Sequence, residues 1–175
     1  MILYLIIHKN VADSMEKGYV YNFLRDDDEL QEIKVGYDYL GEKLRQQVGF
    51  PPIKDAKPLV AWYKYYGKCQ PPEKDNFIVT DASDLICLEI EVPDDKVVLV
   101  DVLAYTSLMV GEYIPYSNTL DEIEDELQAY YNMGVVRRAY ETRKSWKQVF
   151  DVKNSEFIFG VFWDIDPSSI REIIW

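Results

Sequence analysis

The sequence predicts a single α+β domain over residues 1–175, with a mixed or antiparallel sheet and three to five packed helices. Three observations predict it. Residues 85–102, LICLEIEVPDDKVVLVDV, read as two strands joined at Pro93-Asp94-Asp95. Leu30, Ile33, Tyr37, Leu40, Leu44 and Val48 recur at steps of three and four, the period of an amphipathic helix. A hydrophobic content of 48% over 175 residues is enough to build a core.

The 85–102 hairpin is the expected centre of the sheet. In its first arm Ile86, Leu88, Ile90 and Val92 share one face, opposite Glu89 and Glu91. Its second arm, 97–102, is nearly all apolar, the pattern of a strand covered on both faces.

The other elements follow in order. Residues 2–7 lack alternation and read as an interior strand. Asn10 can cap a short helix that Gly18 ends. Residues 19–24 read as a short strand. The acidic run Asp26-Asp27-Asp28-Glu29 favours the positive end of a helix dipole and opens the helix that Gly49 and Pro51-Pro52 stop. Residues 59–66 form an aromatic strand, 67–75 a loop and 77–80 a short strand. After the hairpin, 101–110 is helical in spacing. Thr119 with Glu122 resembles a capping box. It opens a helix with Leu120, Ile123, Leu127 and Tyr130 on one face and acids on the other. A basic helix at 136–150 follows, with Val136, Ala139, Tyr140, Trp146, Val149 and Phe150 as its expected packing face. Acidic and basic neighbours suggest a helical hairpin with complementary sides. Residues 157–165 form a strand in which Gly160 permits close approach. Residues 166–169 turn, and 170–175 close the chain.

Charge and composition exclude several classes. A formal net charge of -12 repels phosphate backbones and anionic lipid, so neither direct nucleic-acid binding nor membrane binding is expected. Basic protein surfaces or small molecules are the expected partners, and an acidic chain can also mimic nucleic acid. Cys69 and Cys87 do not form a disulfide framework. No apolar run has the length of a membrane span, and the start lacks the flanks of a signal peptide. The expected location is cytoplasmic.

Most catalytic signatures are missing. With one histidine, His8, neither an HExxH motif nor a paired His/Cys zinc site can be built. P-loop, GxGxxG and GxSxG motifs are absent. Asp26-Asp27-Asp28, or Asp164 with Asp166, can in principle hold Mg²⁺, but such runs read as solvated surface and no metal is expected. His8 stands at a strand end, where it can project into a cleft and donate to a ribose hydroxyl. Tyr63 or Tyr65 would supply a stacking ring, and Glu89 or Glu91 a carboxylate.

AWYKY at 61–65, LEIEVPDDKVVLVDV at 88–102, SWKQVFD at 145–151 and FWDI at 162–165 resemble a family of bacterial and phage proteins described only as a domain of unknown function. The order of the pieces fits, and the resemblance spans most of the chain. These are strand, turn and core-aromatic patterns, so it implies a shared fold. More distantly, a strand ending in His8, a short helix ending in Gly18 and then Tyr19 are similar to the opening of ADP-ribosyltransferase folds. That similarity implies NAD as cofactor, with His8, Tyr19 and Glu91 in catalysis; Tyr63 and Tyr65, chosen above as stacking rings, would then lie with His8 against NAD.

Two functions are therefore expected. The first is an acidic, non-catalytic binding or inhibitory protein that uses no cofactor. Asp26, Asp27, Asp28, Glu122, Glu124, Asp125 and Glu126 would engage a basic protein surface, and the phage resemblance makes a host defence complex the expected target. The alternative is an ADP-ribosyltransferase-like NAD enzyme, active or degenerate. An aromatic, acidic domain of this kind can also form a homodimer.

Overall fold

The computed structural model describes residues 1–15, 33–54, 56–76 and 84–175. Six strands form one antiparallel sheet: β1 (Ile2–His8), β2 (Leu59–Lys64), β3 (Leu85–Glu91), β4 (Val98–Asp101), β5 (Ile158–Phe162) and β6 (Ile170–Ile173). Their order is β4-β5-β2-β1-β3-β6. The helices are α1 (Lys9–Met15), α2 (Lys34–Gln47), α3 (Val102–Met109), α4 (Leu120–Tyr131) and α5 (Val135–Ser145). The chain is α+β, as its sequence predicts.

The 85–102 stretch is not a hairpin. β3 pairs with β1 on one side and β6 on the other, while β4 is the far edge strand and pairs only with β5. β1 and β3 run in register over seven residues, from Ile2 opposite Glu91 to His8 opposite Leu85. That ladder lays Leu3 and Leu5 beside Ile90 and Leu88. The link after β3 is a 3-10 turn at Asp94–Lys96, not a two-residue turn that would fold β4 back on β3. Val97 instead packs over the sheet beside Leu3 and Gly160. β4 alternates, with Val98 and Val100 buried and Leu99 and Asp101 half-buried, as suits an edge.

Two apolar clusters occupy the two faces. On the first, Tyr39, Leu40 and Leu44 of α2, Leu108 and Met109 of α3, and Trp146 and Val149 pack against Val98, Val100 and Val161. On the second, Leu3, Leu5, Leu59, Ala61, Leu88, Ile90 and Phe162 pack with Met15 of α1. Of the predicted face of β3, Leu88, Ile90 and Val92 are buried and Ile86 is half-buried, while on the other face Glu91 is exposed, Glu89 half-buried and Leu85 and Cys87 buried. The strand register places Val100, Phe159, Trp62, Tyr4, Glu89 and Glu172 in one row across all six strands.

Glycine sets the closest approaches. Gly36 lets α2 lie on α3, and a Cβ there would stand 2.8 Å from Met109 Cα and 2.9 Å from the Leu108 carbonyl oxygen. At Gly160 a Cβ would meet Leu3 Cδ2 at 2.8 Å, the close approach expected from the sequence.

The expected 136–150 helix is two elements. α5 ends at Ser145, and a 3-10 segment, Trp146–Phe150, continues into the core. Of its predicted packing face, Trp146 and Val149 are buried, whereas Val136, Ala139 and Tyr140 are exposed. The strand expected at 77–80, the strand at 19–24 and the acidic start of α2 lie outside the described residues.

Candidate protein-binding surface

α4 and α5, joined through residues 132–134, form a loosely packed helical hairpin, tied by the Tyr130–Thr142 hydroxyl contact and with no extensive backbone contact between the two helices. Thr119 is the N-cap of α4, with Asp121 and Glu122 in the first turn where the helix dipole favours acids. The capping box forms only in part. The Thr119 hydroxyl donates to the Glu122 carboxylate at 2.7 Å and caps no backbone amide.

Glu126 fastens α4 to the segment before it. Its carboxylate accepts from the Tyr113 hydroxyl, from Tyr116 N at 3.0 Å and from Ser117 N at 3.0 Å. Burial works against its ionisation, but these hydrogen bonds prevail and hold its pKa below the ordinary glutamate value. Burial, and then the bond to Glu126, raises the Tyr113 pKa. Tyr130 stacks on Tyr113 with centroids 4.4 Å apart, and its hydroxyl meets Thr142 Oγ1 of α5 at 2.7 Å. Ser145, fully buried, accepts from Ile114 N at 3.0 Å and donates to the Thr142 carbonyl at 2.8 Å. Trp146 Nε1 donates to the Glu112 carbonyl at 2.8 Å.

Beyond those anchors the hairpin meets solvent. Asp121, Glu122, Glu124 and Asp125 are exposed on α4. Among the described residues no ion pair joins α4 to α5, so the expected acid-to-base match between them does not form. Arg143 turns instead to Glu42 of α2 at 3.2 Å and lies over the rings of Tyr39 and Trp146. Lys144 pairs with Glu141 of its own helix at 3.3 Å, and Lys147 lies over the Tyr116 ring. Apolar side chains are uncovered alongside: Leu120 is 84% exposed, Val135 73%, Val136 86%, and Tyr131 and Tyr140 65% each. Val136 and Tyr140 stand one turn apart on α5, and large apolar groups uncovered as neighbours mark an interaction surface more than scattered single ones do.

At the base of the hairpin a groove of about 550 Å³ is lined by Asp101, Tyr116, Asn118, Asp151, Glu156 and Phe157, among others. Asp101 is already engaged, because its Oδ1 caps α3 by accepting from Ala104 N at 2.8 Å. Ile123, from the apolar face of α4, also lines the groove.

The residues of the NAD reading do not converge. His8 is exposed and lies opposite Leu85, while Glu91 lies opposite Ile2 at the other end of the same ladder. At the rise of a strand, six residues separate them by roughly 20 Å. Glu91 is ion-paired with Arg171, whose hydrogen bond lowers its pKa. Tyr63 packs against the second-face cluster. Tyr65 is buried, accepts from Asn76 Nδ2 at 2.7 Å and sits edge-on to Trp62 and Phe157. Tyr19, Asp26, Asp27 and Asp28 lie outside the described residues.

The remaining acids are dispersed. Among the described residues no three His, Cys, Asp or Glu side chains converge as metal ligands. Asp166 is engaged by Ser168, whose amide and hydroxyl bind its carboxylate at 2.9 and 2.8 Å and hold its pKa low. Among the described residues, no helix is long and apolar enough to cross a membrane.

Sequence reasoning places Glu122, Glu124 and Asp125 on one exposed helix, while the Glu126 carboxylate of the same run is engaged by Tyr113, Tyr116 and Ser117. It misses the groove acids Asp151 and Glu156, which have no periodicity. It also misses the uncovered Val136 and Tyr140, whose i,i+4 spacing is the same as that of a core stripe. A family model described as "Domain of unknown function (DUF3841)" matches residues 3–171. No curated protein matches the chain, and no solved structure does.

Proposed function

From the premise that the chain belongs to the DUF3841 family of domains of unknown function, we propose that it is a non-catalytic protein-binding domain that engages a basic protein surface. The observation that carries this reading is the α4–α5 hairpin, with acids on α4 that no base of α5 neutralises and apolar side chains uncovered beside them. The groove at its base extends the acidic surface through Asp151 and Glu156. Burial of the apolar groups would supply most of the affinity, while the acids would choose the partner and speed its approach.

Binding of this kind blocks or tethers a partner without chemistry, which makes an inhibitory role the natural one. A basic component of a host defence complex is the target that the phage resemblance suggests. The test is capture from a bacterial lysate followed by cross-linking mass spectrometry, with Glu122→Arg/Glu124→Arg/Asp125→Arg as control. A specific basic partner should cross-link to α4 and disappear with the triple variant. An unchanged capture profile would sink the proposal.

A further inference from the structure

We infer that the basic surface met by α4 is supplied first by α5 of a second copy of this chain, α4 of each copy lying on α5 of the other across a two-fold axis. The inference rests on the protein-binding reading above and names the partner.

A two-fold interface uses the same patch on both copies, so the patch must complement itself. This hairpin does. α4 carries five acids and no base, and α5 carries four bases and one acid. Within one chain the two sets do not pair. Placed against a copy, each α4 lies along the other chain's α5, and both contacts are attractive. Glu124 and Asp125 are exposed on α4. Arg137 and Lys144 are exposed on α5 and lie two turns apart on one side of it.

The apolar groups follow the same line. Val136 and Tyr140 are one turn apart on α5, along one side of the line of the two bases, and Tyr131 and Val135 flank the turn at the hairpin's tip. Such a strip is what a helical bundle buries. The overall charge of -12 opposes approach of two copies at long range. At physiological ionic strength that repulsion is screened beyond about 8 Å, whereas facing side chains lie closer than this.

The experiment is sedimentation of the full chain from micromolar to tens of micromolar, with paired charge reversals. Wild type is expected to be a dimer. Glu124→Lys/Asp125→Lys and Arg137→Glu/Lys144→Glu should each be monomeric, with wild-type circular dichroism. An equimolar mixture of the two should recover a dimer, because acid and base then oppose again. Val136→Asp, at a position with no packing to lose, should also be monomeric. A monomeric wild type overturns the inference, as does a dimer that survives all three variants, or a mixture that stays monomeric. A monomeric wild type that still captures a basic partner through α4 would sink the second-copy inference alone.

Discussion

The Tyr113 hydroxyl donates to the Glu126 carboxylate, and the same carboxylate accepts the backbone amides of Tyr116 and Ser117. One side chain of α4 therefore holds the segment from which the hairpin rises. Glu126→Gln keeps the shape but loses the charge, and should destabilise the chain by about 1–2 kcal/mol at neutral pH in urea unfolding. The folded pKa of Glu126 lies below its unfolded value. Its contribution is therefore complete above the ordinary glutamate pKa and is lost as pH falls through the lowered folded value. The gap between wild type and variant should close below about pH 4. A gap independent of pH would show that the charge is not what matters there.

Two glycines of α2 should respond in opposite directions to alanine. At Gly36 the new Cβ meets backbone of α3, at Met109 Cα and Leu108 O, which cannot move aside as a side-chain tip can. Gly36→Ala should cost about 1–3 kcal/mol despite the better helix propensity of alanine. At Gly41 the nearest atom is Trp163 Cη2 at 3.6 Å, an ordinary contact. Gly41→Ala should be neutral or stabilising by up to about 1 kcal/mol. Equal effects at the two sites would mean that α2 and α3 are not in contact at Gly36.

The two cysteines should separate cleanly. Cys69 is exposed, while Cys87 is buried under the sheet. Burial, with the Glu89 carboxylate nearby, pushes the Cys87 thiol up to about 12. The thiolate is the nucleophile, so Cys87 is doubly protected at neutral pH. Ellman's reagent should titrate one thiol in the native chain and a second only in denaturant. Cys69→Ser should abolish the native reaction. Two fast thiols would place the β3–β6 region in an open state.

The face of β3 is legible in its sequence because Leu88, Ile90 and Val92 on one side alternate with Glu89 and Glu91 on the other. Its neighbour is not legible. Alternation tells which side a strand presents, and the partner is decided by long-range pairing, here the seven-residue ladder with β1. The separation of His8 from Glu91 is hidden for the same reason: a polar strand end is visible locally, but its distance from Glu91 follows from the antiparallel register. Thr119, Gly160 and the stop at Gly49 are local signals and hold their positions. The hairpin surface is half legible. The acids of α4 announce themselves by charge, whereas an uncovered apolar stripe and a core stripe share one period.

That last ambiguity can be measured within the stretch that reads as one helix in the sequence. Val149 is fully buried among the side chains of the first-face cluster, and Val136 is almost fully exposed on the hairpin. Val149→Asp buries a carboxylate with no partner and should cost more than about 4 kcal/mol, enough to leave much of the chain unfolded. Val136→Asp should change stability by no more than about 0.5 kcal/mol. Both should be read by urea unfolding in dilute solution, where self-association does not contribute. If Val136→Asp approached the cost of Val149→Asp, the first turns of α5 would be packed on the body of the protein. The hairpin would then have no free apolar face to offer a partner.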